Sequence, residues 1–140
     1  MLARLILLII LAFVAAGVAL YLQRRRPDPP SAPSYRAPSQ LDRDDFGGRG
    51  RPFLAALFAS TQCNTCPEVW ALVEPRASEQ LDVFRVDVED DKGELHKRYR
   101  IDGVPTTVIA DAEGVVLRTF FGPVPDEAFD EALAELGIGA

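Results

Sequence analysis

The sequence predicts an α/β fold, a central mixed sheet flanked by helices, placed after a single N-terminal transmembrane helix. Three observations carry that expectation. An uncharged apolar run of eighteen residues fills 5–22. Beyond residue 50, short apolar segments of strand and helix character alternate in the order strand, helix, strand, helix, strand, strand, helix. Strand–helix–strand units imply parallel pairing, and the last two strands, joined by "DAEG", add an antiparallel edge. At 140 residues the chain holds one domain of ordinary size.

Residues 1–23 read as the membrane anchor, because about twenty apolar residues cross a bilayer as a helix. The rival reading is a cleaved signal peptide, for which "VAAG" supplies small residues. The length of the run and the arginines that end it favour an uncleaved anchor. No cysteine lies near it, which excludes a lipid-modified N-terminal cysteine. Arg4 and the α-amine precede the span and Arg24, Arg25 and Arg26 follow it. Positive charge stays on the cytoplasmic side, so the balance favours a single-pass protein with its domain on the cytoplasmic face, over the extracytoplasmic alternative. The arginine cluster also suits anionic headgroups.

Residues 24–48 read as a linker. Five prolines in "PDPPSAPSYRAPSQ" favour extended polyproline II and bury too little apolar surface to fold. "LDRDDFGGRGRP" continues it without clear secondary structure.

The domain is expected over 49–140. "PFLAALFAS" is a buried strand, and a helix follows with Val69, Trp70, Leu72 and Val73 at helical spacing until Pro75 ends or kinks it. "LDVFRVDV" alternates as a second strand, and "DKGELHKRYR" forms a short polar helix with Leu95 and Tyr99 on one face. After the two last strands, "PDEAFDEALAELG" closes the chain as a helix. Its first turn holds Asp126 and Glu127, its apolar face Ala128, Phe129, Leu133 and Leu136, and Gly137 stops it.

Charge divides the chain. Residues 1–41 carry five arginines against one acid, and 42–140 carry ten basic against twenty acidic residues. A domain this acidic repels a phosphate backbone, which argues against nucleic-acid binding.

Both cysteines, Cys63 and Cys66, lie in "STQCNTCPEV", after a strand and opening a helix. The helix N-terminus presents free N–H groups and a positive dipole end. Both stabilise a thiolate and lower the pKa of Cys63. With this spacing Cys63 attacks a substrate disulfide and Cys66 resolves the mixed disulfide. Two other readings stand beside this one. A metal site needs two further ligands, and the single histidine, His96, reads as a solvated surface residue on the polar helix. A structural clip closing so small a loop stabilises little.

"LFASTQCNTC", "YRIDGVPTTVI" about forty residues later, and "DAEGVVLRTFFG" after that resemble the thioredoxin superfamily over most of 50–138. The resemblance implies a thioredoxin-like fold and a redox-active Cys63–Cys66 disulfide. It also implies a cis Val104–Pro105 bond and a Val104 backbone that pairs with an extended substrate chain. Gln62, Asn64, Thr65, Val104, Pro105 and Gly122 are then the substrate-binding surface. Protein thiols or disulfides and a redox partner protein are the expected partners. No cofactor or metal is implied, and the domain is expected to be monomeric. A membrane-tethered layout with a proline-rich spacer looks like that of actinobacterial members.

The chain departs from the family pattern at several points. Gln62 stands where thioredoxins have Trp, Asn64 and Thr65 replace Gly-Pro, Leu57 replaces the buried acid, and Arg85 replaces a lysine, within reach of Asp87 or Asp82. Pro67 follows Cys66 and removes the N–H that would bond the Cys63 carbonyl. A passive binding module or a redox sensor on the same fold is the alternative function.

Overall fold

The computed structural model describes residues 35–47 and 50–139, with Arg4, Val14, Ala15 and Gly17 in helical conformation. The expected span 5–22 and the arginine cluster 24–26 otherwise lie outside the described residues. Among the described residues no helix is long and apolar enough to cross a membrane. The chain divides into two units, Met1–Ser34 and Tyr35–Ala140.

In the second unit, four strands form one sheet: β1 (Phe53–Ala59), β2 (Leu81–Asp87), β3 (Thr106–Ala110) and β4 (Val116–Phe121), in the order β2-β1-β3-β4. The three α-helices are α1 (Cys66–Val73), α2 (Glu94–Arg98) and α3 (Asp126–Glu135). The expected element order is met. β1 pairs with β2 in parallel and with β3 antiparallel, and β4 extends the antiparallel side.

The second strand–helix–strand unit corrects the expectation of parallel pairing. β3 enters beside β1 running the opposite way. At 1.5 Å per residue, the five residues of α2 advance only about 7.5 Å. That is too short to carry the chain back along β2, so it re-enters the sheet from the end at which it left.

β1 is a run of small and apolar residues because both of its faces are covered. Period-two alternation sends Ala55, Leu57 and Ala59 into one core with Cys66, Val69, Val73, Phe129 and Leu133. It sends Leu54, Ala56 and Phe58 into a second core with Phe46, Tyr99 and Val108. Pro75 ends α1 at Val73, and a 3-10 turn continues over Glu74–Arg76. Arg76 then ties this turn to α3, with Nε 2.6 Å from Asp130 Oδ1 and its guanidinium 5.6 Å from the Phe129 ring centre. α3 buries Phe129, Ala132 and Leu133, whereas Ala128 is exposed, so the apolar face is rotated from the expected one. Gly137, at φ +74°, stops the helix, and the Ile138 N–H donates to the Leu133 carbonyl.

The boundary expected near residue 49 falls earlier. Leu41 and Phe46 are buried in the second core, and Arg43–Phe46 form a 3-10 turn capped by the Asp42 carboxylate. Phe46 packs against Phe58, Phe84 and Tyr99. The buried Arg43 pairs with Asp82 at 3.4 Å and donates to the Arg51 and Asp111 carbonyls. Glycines and charges had marked this segment as linker. Three aromatic side chains from later elements, Phe58, Phe84 and Tyr99, decide otherwise.

His96 is a further correction. It is 6 % exposed, with its ring edge-on to Phe58 at 5.3 Å between centroids, rather than solvated on a polar helix. Asp91 accepts from the Gly93 and Leu95 N–H groups and so sets the start of α2, which turns His96 and Tyr99 inward.

Candidate functional site

β1 delivers the chain to its C-terminal end at Ala59, and Ser60–Thr65 turns it into α1. The Cys63 N–H donates to the Ser60 carbonyl at 3.1 Å, which folds the turn back on itself. Glu89, beyond β2, clamps the same turn by accepting from Ser60 Oγ at 2.7 Å and the Thr61 N–H at 3.0 Å. These two donors hold the Glu89 carboxyl down at about 2.

The two sulfurs are bonded at 2.08 Å, with the Cα atoms 5.5 Å apart. Their exposure differs. Cys66 is fully buried in the core under α1, and Cys63 is partly exposed at the rim. The Cys66 amide N–H, one of those a helix start leaves without an intrahelical partner, points at Cys63 Sγ 3.1 Å away. Thr65 makes no side-chain cap to the helix; its Oγ1 lies 3.8 Å from Cys63 Sγ. Pro67 occupies the first turn of α1, where a missing N–H costs nothing.

Facing the cysteines is the loop before β3. The Val104–Pro105 bond is cis. Gln62, Cys63, Asn64, Thr65 and Val104 line one shallow recess. Val104, Pro105 and Gly122 line the next one, so the cysteine turn and the cis-proline loop form a continuous surface through Val104. Hydrogen bonds fix both neighbours of Val104. Thr106 Oγ1 donates to the Gly103 carbonyl at 2.7 Å, and the Gly122 N–H donates to the Pro105 carbonyl at 2.8 Å. Val104 itself has no backbone hydrogen-bond partner among the described residues. All eight residues expected at the site thus meet at one end of the sheet.

Leu57 is fully buried in the core that holds Cys66, where the family has an acid. Arg85 and Asp87 stand in register with Leu57 and Ala59 but are bound to each other, at 2.8 and 2.9 Å. Sequence reasoning missed Thr107, which pairs with Leu57 across the β1–β3 ladder. Its hydroxyl is buried without a partner. In "VPTTVI" nothing tells which of two adjacent buried threonines shares the face of Leu57; the ladder register does. Among the described residues no His, Cys, Asp or Glu cluster is placed to hold a metal ion. Larger recesses near Asp42 and Arg98 are polar and are lined by neither cysteine.

The chain matches the family model described as "Thioredoxin-like domain" over residues 40–137. It therefore belongs to the thioredoxin-like family. A mutant thioredoxin from Halobacterium salinarum has a similar structure, with a TM-score of 0.52 and 27 % identity over 61 % of this chain and 76 % of its own. The germline-specific thioredoxin Deadhead from Drosophila melanogaster shares the fold, with a TM-score of 0.56 and 24 % identity over 66 % of this chain and 89 % of its own. No curated protein matches the chain. The family and the bonded Cys63–Cys66 pair together support a thiol–disulfide redox role in general.

Proposed function

We propose that this protein is a thiol–disulfide oxidoreductase that exchanges disulfides with protein substrates through Cys63 and Cys66. The observation that carries the reading is the unequal burial of the two sulfurs beside an unpaired backbone. Cys63 is reachable, Cys66 is not, and the free Val104 N–H and C=O stand next to Cys63. An extended peptide adds to such an edge as a strand does.

In the reductive direction the Cys63 thiolate attacks one sulfur of the substrate disulfide. The S–S bond breaks, the other substrate sulfur leaves as a thiolate and takes a proton, and a Cys63–substrate disulfide remains. The Cys66 thiolate then attacks Cys63 Sγ, and the substrate leaves reduced by two electrons. Cys63–Cys66 carries the oxidation until a redox partner protein reduces it. The reverse sequence oxidises a dithiol. With Leu57 in the core beside Cys66 and Asp87 bound to Arg85, the proton released by Cys66 passes to water or to the leaving substrate thiolate rather than to a buried acid.

In this reading residues 5–22 tether the domain as a single-pass membrane protein of the actinobacterial layout. The arginine balance favours the cytoplasmic face. Leu57 and the apolar setting of Cys66 favour a second reading, a binding module with a passive clip. Cys66→Ser separates the two. The oxidoreductase accumulates a mixed disulfide between Cys63 and a substrate protein, released by dithiothreitol and abolished by Cys63→Ser. A binding module traps nothing and keeps its partner when both cysteines are changed.

A further inference from the structure

Tyr35, at the end of the proline-rich segment, lies on the substrate surface. Ser39 and Gln40 run beside the start of β4: the Val116 N–H donates to the Ser39 carbonyl at 3.0 Å, and Gln40 bridges Val115 antiparallel. The Leu41 N–H donates to the Gly114 carbonyl at 2.7 Å, and Leu41 is buried. Five residues back from Gln40, the antiparallel course reaches the far end of β4. There the Tyr35 ring stacks on Phe121, 5.4 Å between centroids and 24° between planes. Both rings remain about half open to solvent, at 47 % and 40 %.

The stack walls a pocket of about 210 Å³ whose other sides are Gly103, Val104, Pro105, Thr106 and Gly122. A cavity on the order of 150 Å³ suffices for a benzene ring. Gly103 forms the floor because the ring needs the space: a Cβ there would stand 2.7 Å from the Tyr35 ring. Val104 is shared between this pocket and the recess that holds Cys63.

We propose that this pocket is a specificity site for an apolar or aromatic side chain of the substrate, walled by Tyr35 from the linker. The inference rests on the oxidoreductase reading and names its substrate class. A peptide paired to Val104 with its cysteine at Cys63 sends same-face side chains along the strand at two-residue steps. The residue two positions from the reactive cysteine therefore falls on the Tyr35–Phe121 side. Two stacked aromatic faces with no charge in the lining select an apolar group there and reject a charged one.

The test uses the full chain in detergent and two glutathionylated peptides. One carries Phe two residues before and two after its cysteine, and the other carries Ser at both places. The pocket is open on one side, so the Phe peptide is expected to react with about tenfold higher kcat/KM, below what full burial of a Phe gives, the difference residing in KM. Tyr35→Ala and Gly103→Ala, the second displacing the ring without removing it, are expected to erase the preference, while Tyr35→Phe keeps it. Reduction of a small hydroxyalkyl disulfide, which has no group to place in the pocket, stays the same in all of them. Equal rates for the two peptides with wild type, or a preference that survives Tyr35→Ala and Gly103→Ala, overturns the assignment and leaves the oxidoreductase reading intact. No exchange with either peptide or with the small disulfide overturns both.

Discussion

His96 makes the stability of the domain depend on pH in a way its neighbours do not. The ring is 6 % exposed against Phe58, and neither nitrogen makes a well-aligned hydrogen bond. Burial is the largest influence and pushes its pKa below the ordinary value; the carboxylates of Asp91, Glu89 and Asp87 and the Ala59 carbonyl oppose it without reversing it. The unfolded chain protonates His96 near 6.5 and the folded chain only at lower pH. The unfolded state therefore binds the extra proton, and this contribution to stability is complete well above pH 6.5 and falls as pH drops from 6.5 to the folded value. One proton gives a slope of up to about 1.4 kcal/mol per pH unit. Between pH 6.5 and 5.5 the loss is at most about 1 kcal/mol, because the unfolded ring is already half protonated at 6.5, and the fall in Tm is no more than about 4–8 °C for a domain of this size. The assay is thermal unfolding by circular dichroism at pH 7.5, 6.5 and 5.5 for wild type and His96→Leu, with the difference taken at each pH so that carboxylates common to both cancel. The variant is expected to lose less stability on acidification. As this is the only histidine, its ring protons also titrate without ambiguity in a proton NMR spectrum. Parallel pH profiles for the two proteins, or a ring titrating at or above 6.5, would refute the reasoning.

Three further outcomes follow from the packing and the turn geometry. Phe46→Ala removes a fully buried ring from the second core, and urea unfolding should show a loss of about 3–5 kcal/mol, which a linker residue would not give. Gly114 has φ +83°, and a Cβ there would stand 2.0 Å from the Leu41 carbonyl oxygen. Gly114→Ala should thus cost more than the roughly 1–2 kcal/mol of a left-handed alanine alone and expose Leu41 and Gln40 to proteolysis. Glu89→Gln should speed exchange of the Thr61 amide at neutral pH. In wild type, because the Glu89 pKa is depressed from 4.5 to about 2, its clamp is complete above about pH 4.5 and is lost as pH falls toward 2.

The element order was legible because the continuous apolar run of β1 and the apolar patterns of β2 and α3 are dictated by burial on the element's own faces. The site was legible because its residues lie in two short segments, around Cys63 and around Pro105. What stayed hidden depends on distant partners. His96 sits in a polar stretch, and only Phe58 from another strand explains its burial. Arg43 and Phe46 lie among glycines and acids that read as linker, yet Asp82 and Tyr99 draw them inward. Tyr35 sits in a proline-rich run, and Phe121, eighty-six positions along the sequence, gives it a place. The direction of β3 was hidden because helix length, rather than the presence of a helix, decides whether a crossover returns the chain.

The most direct test of the redox role is the reduction potential of the Cys63–Cys66 pair. The full chain is equilibrated in dithiothreitol and glutathione buffers and followed by the fluorescence of Trp70, the single tryptophan, which packs against the core holding Cys66. A two-electron transition is expected between about −270 and −120 mV, the reductant end matching a cytoplasmic domain and the oxidant end an external one. A pair that stays oxidised well below about −300 mV is a structural clip, and that result would contradict the oxidoreductase reading.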